Sequence, residues 1–331
     1  MDLAKDFVFR PLPSINDGQS VITTESETHD TVVQNLATAA TAATTAAKAQ
    51  PANPLGRLAG LRGKWQGTGF NTIWRPNFHP HVRHFLELNL TEETMEFEEI
   101  QGAIPNRGLL QRDINMFGLS YLQQISDKNL NAGLHFEPGI WAHVPATTHP
   151  LESVSLVRMA SIPHGTAIVA QGNSTTLDET DRPDIPKASI IPFGIGNPKD
   201  LGQFDETNLK TTTKFRTSGP GLTGITQKML DDPNSVLRDA ITGQNITSTV
   251  RLQVTTEQKP VLGGGTANTA FLAGDSEGPN AVATRVTSTF WLEKLNNETR
   301  ASQLQYTQTV LLDFDEVSWP HITVATLRRI D

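Results

Sequence analysis

From Leu55 onward the chain is dominated by short stretches in which apolar and polar residues alternate. Alternation of period two puts successive side chains on opposite faces of an extended backbone, so each stretch reads as a strand with one face buried. The stretches cover residues 84–90, 94–100, 118–126, 132–144, 153–162 and 165–172, then 247–257, 266–274, 281–295, 304–314 and 321–330. Turn-forming residues separate most of them, which is the spacing of a meander. About ten strands are more than an open twisted sheet carries without curling or splitting, and closure removes both edges. The pattern predicts an all-β fold, a single closed antiparallel up-and-down barrel of about ten strands, with loop and short-helix insertions.

Two segments break the pattern. Residues 173–203 are rich in Pro, Asp and Gly and read as a long loop. Residues 224–242 space Ile225, Met229, Val236 and Ile241 for one helical face. Insertions of this kind are expected to cover the barrel mouth. Residues 1–54 stand apart as an N-terminal arm with an Ala/Thr-rich tract, packed on the barrel or flexible, ahead of a ligand-binding barrel at 55–331.

Composition agrees with many short strands, because the apolar fraction of 37% is modest while Gly, Thr and Pro are plentiful. A formal charge of −8 and the lack of a Lys/Arg-dense run argue against nucleic acid as a partner. The absence of cysteine removes disulfides, thiolate nucleophiles and Cys-ligated metals. The start of the chain does not read as a signal peptide, and no apolar run approaches the length of a membrane span, so the expectation is a cytoplasmic protein with no membrane partner.

Chemistry is therefore sought among the nine histidines. His79, His81 and His84 lie close together, a spacing that can begin a zinc or non-heme iron site, although Pro76 and Pro80 suggest an irregular loop. His135 and Glu137 share one strand face and form a candidate acid/base pair, and Trp141 and His143 share a face after Pro138 and Gly139. His164 reads as a turn residue. His321, Thr323 and Ala325 share one face of the last strand, where small neighbours beside an imidazole leave room for a flat ligand such as a porphyrin. Glu92/Glu93 and Glu98/Glu99 read as a solvated hairpin, and the glycine-rich pieces at 192–198 and 263–268 read as turns without a phosphate-cradling context.

Residues 58–70, LAGLRGKWQGTGF, carry Gly63, Trp65, Gly67 and Gly69 in a Gly-x-Trp-x-Gly-x-Gly pattern. This piece resembles the opening strand of the nitrobindin-like heme-binding β-barrels. The pattern also recurs in lipocalin-like and fatty-acid-binding barrels, whose Trp plugs the barrel end. The C-terminal HITVATLRRID resembles the final strand of nitrobindin-like proteins, which holds the proximal heme ligand ahead of a basic pair. The central strings from Ile104 and Glu137 look like a larger bacterial and fungal set labelled heme-binding or peroxidase-like.

The resemblance implies heme b as cofactor and His321 as iron ligand, with Arg328 and Arg329 as the basic pair. Trp65, Phe70, Arg158, Thr323 and Ala325 would surround the cofactor, and His135 or His143 would assist peroxide cleavage. Gas binding and isomerisation are companion activities. The alternative is a metal-free carrier or cyclase for a fatty acid, polyketide or pigment. Its wall would be Phe70, Trp74, Phe85, Phe136, Trp141, Phe271, Phe290 and Trp291, with Arg158 or Tyr306 as polar anchor. A third reading is a structural protein whose lead segment makes contacts and whose barrel is filled by side chains.

Overall fold

The computed structural model describes residues 53–331 except 78, 80, 109–111, 163, 178–181, 203, 259–263, 272–280 and 297. The arm expected over residues 1–54 thus falls almost wholly outside the described residues.

Ten long strands follow one another: β1 (Gly63–Pro76), β2 (His84–Glu99), β3 (Ile114–Asp127), β4 (Ala132–Val144), β5 (Ser155–Ile162), β6 (Thr166–Thr176), β7 (Ile246–Thr255), β8 (Val282–Leu295), β9 (Gln303–Phe314) and β10 (Val317–Arg329). Each pairs antiparallel with the next, and β10 returns to β1 over Trp65↔Arg329 to Thr72↔Ile322. The ten strands thereby close into a barrel. At the seam the motif glycines serve close approach. A side-chain carbon on Gly69 would lie 2.1 Å from the Val324 carbonyl oxygen, and one on Gly67 the same distance from that of Thr326.

The lumen has three levels. At the closed end the 3-10 turn Gly56–Gly60 brings Leu55, Leu58 and Leu61 onto Trp65, whose Nε1 donates to the Leu61 carbonyl at 2.7 Å. The Arg329 guanidinium lies 4.2 Å from the Trp65 ring, which gives one member of the basic pair its place. Above this plug, inward side chains such as Phe97, Leu119, Trp141, Phe290 and Leu304 fill the barrel. A belt of buried polar groups follows, and beyond it the lumen opens to a cavity.

Among the described residues, the insertion between β6 and β7 contributes none to the lining of that opening. It carries helices α1 (Gln227–Asp231) and α2 (Ser235–Ala240), and it lays Ile190, Ile225, Leu230, Leu237 and Ile241 on the outer wall. Phe70, Trp74, Leu86, Leu88, Trp291 and Trp319 form the barrel side of this second core. Trp74 Nε1 donates to the Ile190 carbonyl at 2.8 Å, which pins the insertion to β1. The wall is therefore buried on both faces here, apolar on the outer one and carrying Asn71, Asn89, Thr91 and Thr323 on the inner one. The span 265–268, where the strand reading over 266–274 overlaps the turn reading over 263–268, is a short strand, Gly265–Asn268, paired with β6. Among the described residues no helix is long and apolar enough to cross a membrane.

Candidate functional site

The cavity lies at the end where β1 finishes and β2 begins, opposite the Trp65 plug, and measures about 350 Å³. Apolar side chains from several strands line it, among them Ile73, Ile125, Leu134, Ile162, Val286, Val310 and Leu312. Polar groups converge on it as well: Asn71, Gln123, His135, His164, Tyr306, Gln308, His321 and Thr323. An apolar wall with a few aimed polar groups is the usual build of a small-molecule site.

The inward face of β10 supplies His321 and Thr323, as alternation along the strand requires. His321 Nε2 lies 2.9 Å from Asn71 Oδ1, and Thr323 Oγ1 donates to the same oxygen at 2.9 Å. Asn71 Nδ2 donates to Asn89 Oδ1 at 3.0 Å, which fixes the Asn71 amide and makes His321 Nε2 the donor. Burial within the lumen wall, reinforced by His135 and His164, pushes the His321 pKa down to about 3. The ring is neutral at neutral pH, with its proton on Nε2.

His135 stands beside a buried ion pair. Its Nε2 is 3.0 Å from Glu137 Oε2, while Arg158 Nη2 donates to Glu137 Oε1 at 2.5 Å. Burial alone would raise the Glu137 pKa, but the Arg158 charge and His135 outweigh it and hold it down at about 2. Arg158 is fully buried and spans the lumen, with Nε donating to Tyr121 Oη at 2.9 Å and Nη1 to Ser288 Oγ at 2.8 Å and Gln308 Oε1 at 2.6 Å. Its guanidinium also lies over the Trp141 and Phe290 rings. Arg158 is therefore committed to the polar belt beneath the cavity.

A second carboxylate sits in the same belt. Glu93 accepts from Tyr306 Oη at 2.6 Å and from Thr91 Oγ1 at 2.7 Å, and burial raises its pKa to about 7. Gln123 Nε2 completes the chain, donating to Tyr306 Oη at 2.9 Å. Glu93 is thus a buried lumen residue, contrary to the solvated hairpin expected of Glu92/Glu93.

The remaining sequence expectations separate by position. Trp65 and Ala325 face the lumen, but in the filled half away from the cavity. Phe70 points outward beneath the insertion, as do Trp74 and Trp291, so none of the three lines the lumen. Trp141 and Phe290 do face inward and meet edge to face with ring centroids 5.3 Å apart. Phe136 and Phe271 are exposed.

His143 shares the inward face of β4 with His135, but eight residues of strand, roughly 26 Å, separate them. It packs at the closed end, where its ring lies 3.2 Å from the position of a Gly56 side-chain carbon. His135 and His143 therefore cannot act on one ligand. His79 Nδ1 accepts from the backbone of His81 and Val82, both at 3.3 Å, whereas His84 turns among Trp74, Phe204 and Trp319 with Glu206 at 3.7 Å. Among the described residues no group of three or more His, Asp or Glu side chains is placed to hold a metal ion.

His164, Asn71, Gln123 and Gln308 belong to the cavity without having been singled out. His164 follows β5 and meets His135 with ring centroids 5.6 Å apart, at the level of the mouth. Burial and His135 lower its pKa, as burial lowers that of His143.

The architecture is a ten-stranded antiparallel barrel with one end plugged and the other open, compatible with a ligand-binding protein. No protein-family model and no curated protein matches the chain. Among solved structures, the crystal structure of Rv2717c from M. tuberculosis is similar at 13% identity and a TM-score of 0.41, covering 85% of this chain and 99% of that one.

Proposed function

We propose that the protein binds a compact, largely apolar ligand bearing hydrogen-bonding groups in the mouth of the barrel. The observation that carries the reading is the cavity of about 350 Å³, where an apolar wall meets Asn71, His135, Tyr306, Gln308 and His321. Size narrows the ligand class. A cavity of roughly 150 Å³ accommodates benzene, so this one suits a molecule of about two rings. A long acyl chain would have to displace the filled lower lumen.

Heme is the second reading, and the position of His321 favours it. The imidazole faces the lumen, is neutral and has its orientation fixed by Asn71, which is how iron-ligating histidines are held. When bound, heme would supply ligand exchange and redox chemistry at iron. His321 and Thr323 fit the imidazole side of such a site. The volume does not fit four pyrrole rings unless the macrocycle projects from the mouth, and Nε2 is already bonded to Asn71.

Calorimetric titration separates the readings, with 2-tetralone as a two-ring ketone probe and hemin as the competing one. The binding reading expects one 2-tetralone per chain, lost in Ile73→Trp and Ala283→Phe, which fill the cavity from different strands. Absence of 2-tetralone binding, together with a one-to-one hemin Soret band that disappears in His321→Ala, would establish heme instead.

A further inference from the structure

Binding alone leaves one arrangement without a use, the bridge that Arg158 makes between a histidine–carboxylate pair and a glutamine on the opposite wall. Arg158 Nη2 donates to Glu137 Oε1 at 2.5 Å and Nη1 donates to Gln308 Oε1 at 2.6 Å. Ser288 Oγ donates to that same glutamine oxygen at 2.9 Å. With its oxygen held by two donors, Gln308 keeps its amide N–H groups, which are donors only, for the cavity it lines.

The other end of the bridge defines a base. Glu137 is an ionised acceptor, so the His135 proton sits on Nε2, 3.0 Å from Glu137 Oε2, and the lone pair is left on Nδ1. This is the logic of an imidazole base oriented by a buried carboxylate. His135 also lines the cavity. One buried arginine therefore positions a base and a hydrogen-bond donor around the same space.

We propose that the mouth is an acid–base active site for a carbonyl-bearing ligand, in which His135 Nδ1 removes a proton from the carbon next to the carbonyl and the Gln308 amide binds the carbonyl oxygen. The C–H electron pair becomes the carbon–carbon π bond of an enolate, and the carbonyl π pair moves onto the oxygen facing Gln308. His135 returns a proton to the same carbon, giving exchange once the proton on its Nδ1 has been replaced by one from solvent, or to a conjugated carbon, giving isomerisation. No oxidant, reductant or second substrate is needed. The ion pair beneath keeps Glu137 ionised through the cycle, since Arg158 holds its pKa at about 2 against the effect of burial. Burial lowers the pKa of both His164 and His321, which disfavours a competing positive charge beside His135.

This inference rests on the binding reading, and the test keeps the two apart. The full chain is incubated with 2-tetralone in D₂O while loss of the proton signals next to the carbonyl is followed by NMR, and binding of the same probe is measured by calorimetry. The expected result is exchange well above the buffer rate. It should fall about 100-fold or more in His135→Gln and by a similar factor in Gln308→Leu, with the probe still bound by His135→Gln. Binding without accelerated exchange in the wild type overturns the catalytic assignment and leaves the binding reading intact. Exchange undiminished in His135→Gln overturns His135 as the base. No binding at all overturns both. Thermal unfolding of each variant establishes that it is folded, and a wild-type rate no higher than buffer overturns the assignment whatever the variants do.

Discussion

His321 Nε2 and Asn71 Oδ1, 2.9 Å apart, join the last strand of the barrel to the first directly beneath the mouth cavity. The bond continues through Asn89 to Asp127, whose carboxylate accepts from Asn89 Nδ2 at 2.7 Å, so a polar chain crosses β10, β1, β2 and β3. Holding a histidine as a neutral donor in such a chain has a pH signature. The His321 pKa is depressed from 6.5 to about 3, so the unfolded chain binds the proton first as pH falls. Its contribution to stability is full above pH 6.5 and is lost progressively as pH falls toward 3. Chemical unfolding from pH 7 to pH 4 should show wild type losing up to about 1.4 kcal/mol per pH unit relative to His321→Gln. A constant difference across that range would mean that His321 is solvated.

Glu93 has the opposite sign. Its folded pKa is raised from 4.5 to about 7, so the folded state holds the proton more tightly, and stability is lost as pH rises through that window. Glu93→Gln mimics the protonated carboxyl. Relative to it, wild type should lose up to about 1.4 kcal/mol per unit between pH 4.5 and 7, read by the same unfolding series.

Arg158 and Glu137 form an ion pair closed to solvent at the floor of the cavity. Removing one partner leaves a buried charge unpaired, which typically costs about 3–5 kcal/mol. Arg158→Met should lower stability by this order. The double variant Arg158→Met with Glu137→Gln should recover part of the loss, and a urea-unfolding double-mutant cycle measures the coupling.

Gly69 tests the barrel seam. A methyl group there meets the Val324 carbonyl at 2.1 Å and the Ala325 side chain at 2.8 Å. Gly69→Ala should destabilise by about 1–3 kcal/mol through overpacking between β1 and β10. Gly133→Ala, where a methyl group meets nothing within 4 Å, serves as the control.

Much of the architecture was legible in the chain. Strand β4 runs over the 132–144 stretch that alternation marked out, and the glycine-tryptophan motif does place a tryptophan at the barrel end. The two readings over 84–100 are one strand, because the polar residues between them, Thr91 and Glu93, point into a polar lumen belt and do not form a turn. Inside and outside could not be told apart at Phe70 and Trp74, since the insertion buries the outer face as thoroughly as the lumen buries the inner one. His135 and His321 carried usable signals in their strand neighbours. His164 and Gln308 did not, because their roles arise from residues distant in sequence, the first meeting His135 and the second Arg158.

A compact ligand with a hydrogen-bonding group is expected to occupy the mouth cavity. A crystal structure of the full chain grown with saturating 2-tetralone tests it most directly. Ring density is expected against Ile73, Val286 and Val310, with the ketone oxygen within hydrogen-bond distance of the Gln308 amide. Density for the ketone only on the outer wall, or a mouth cavity closed by its own side chains at saturating probe, would contradict it.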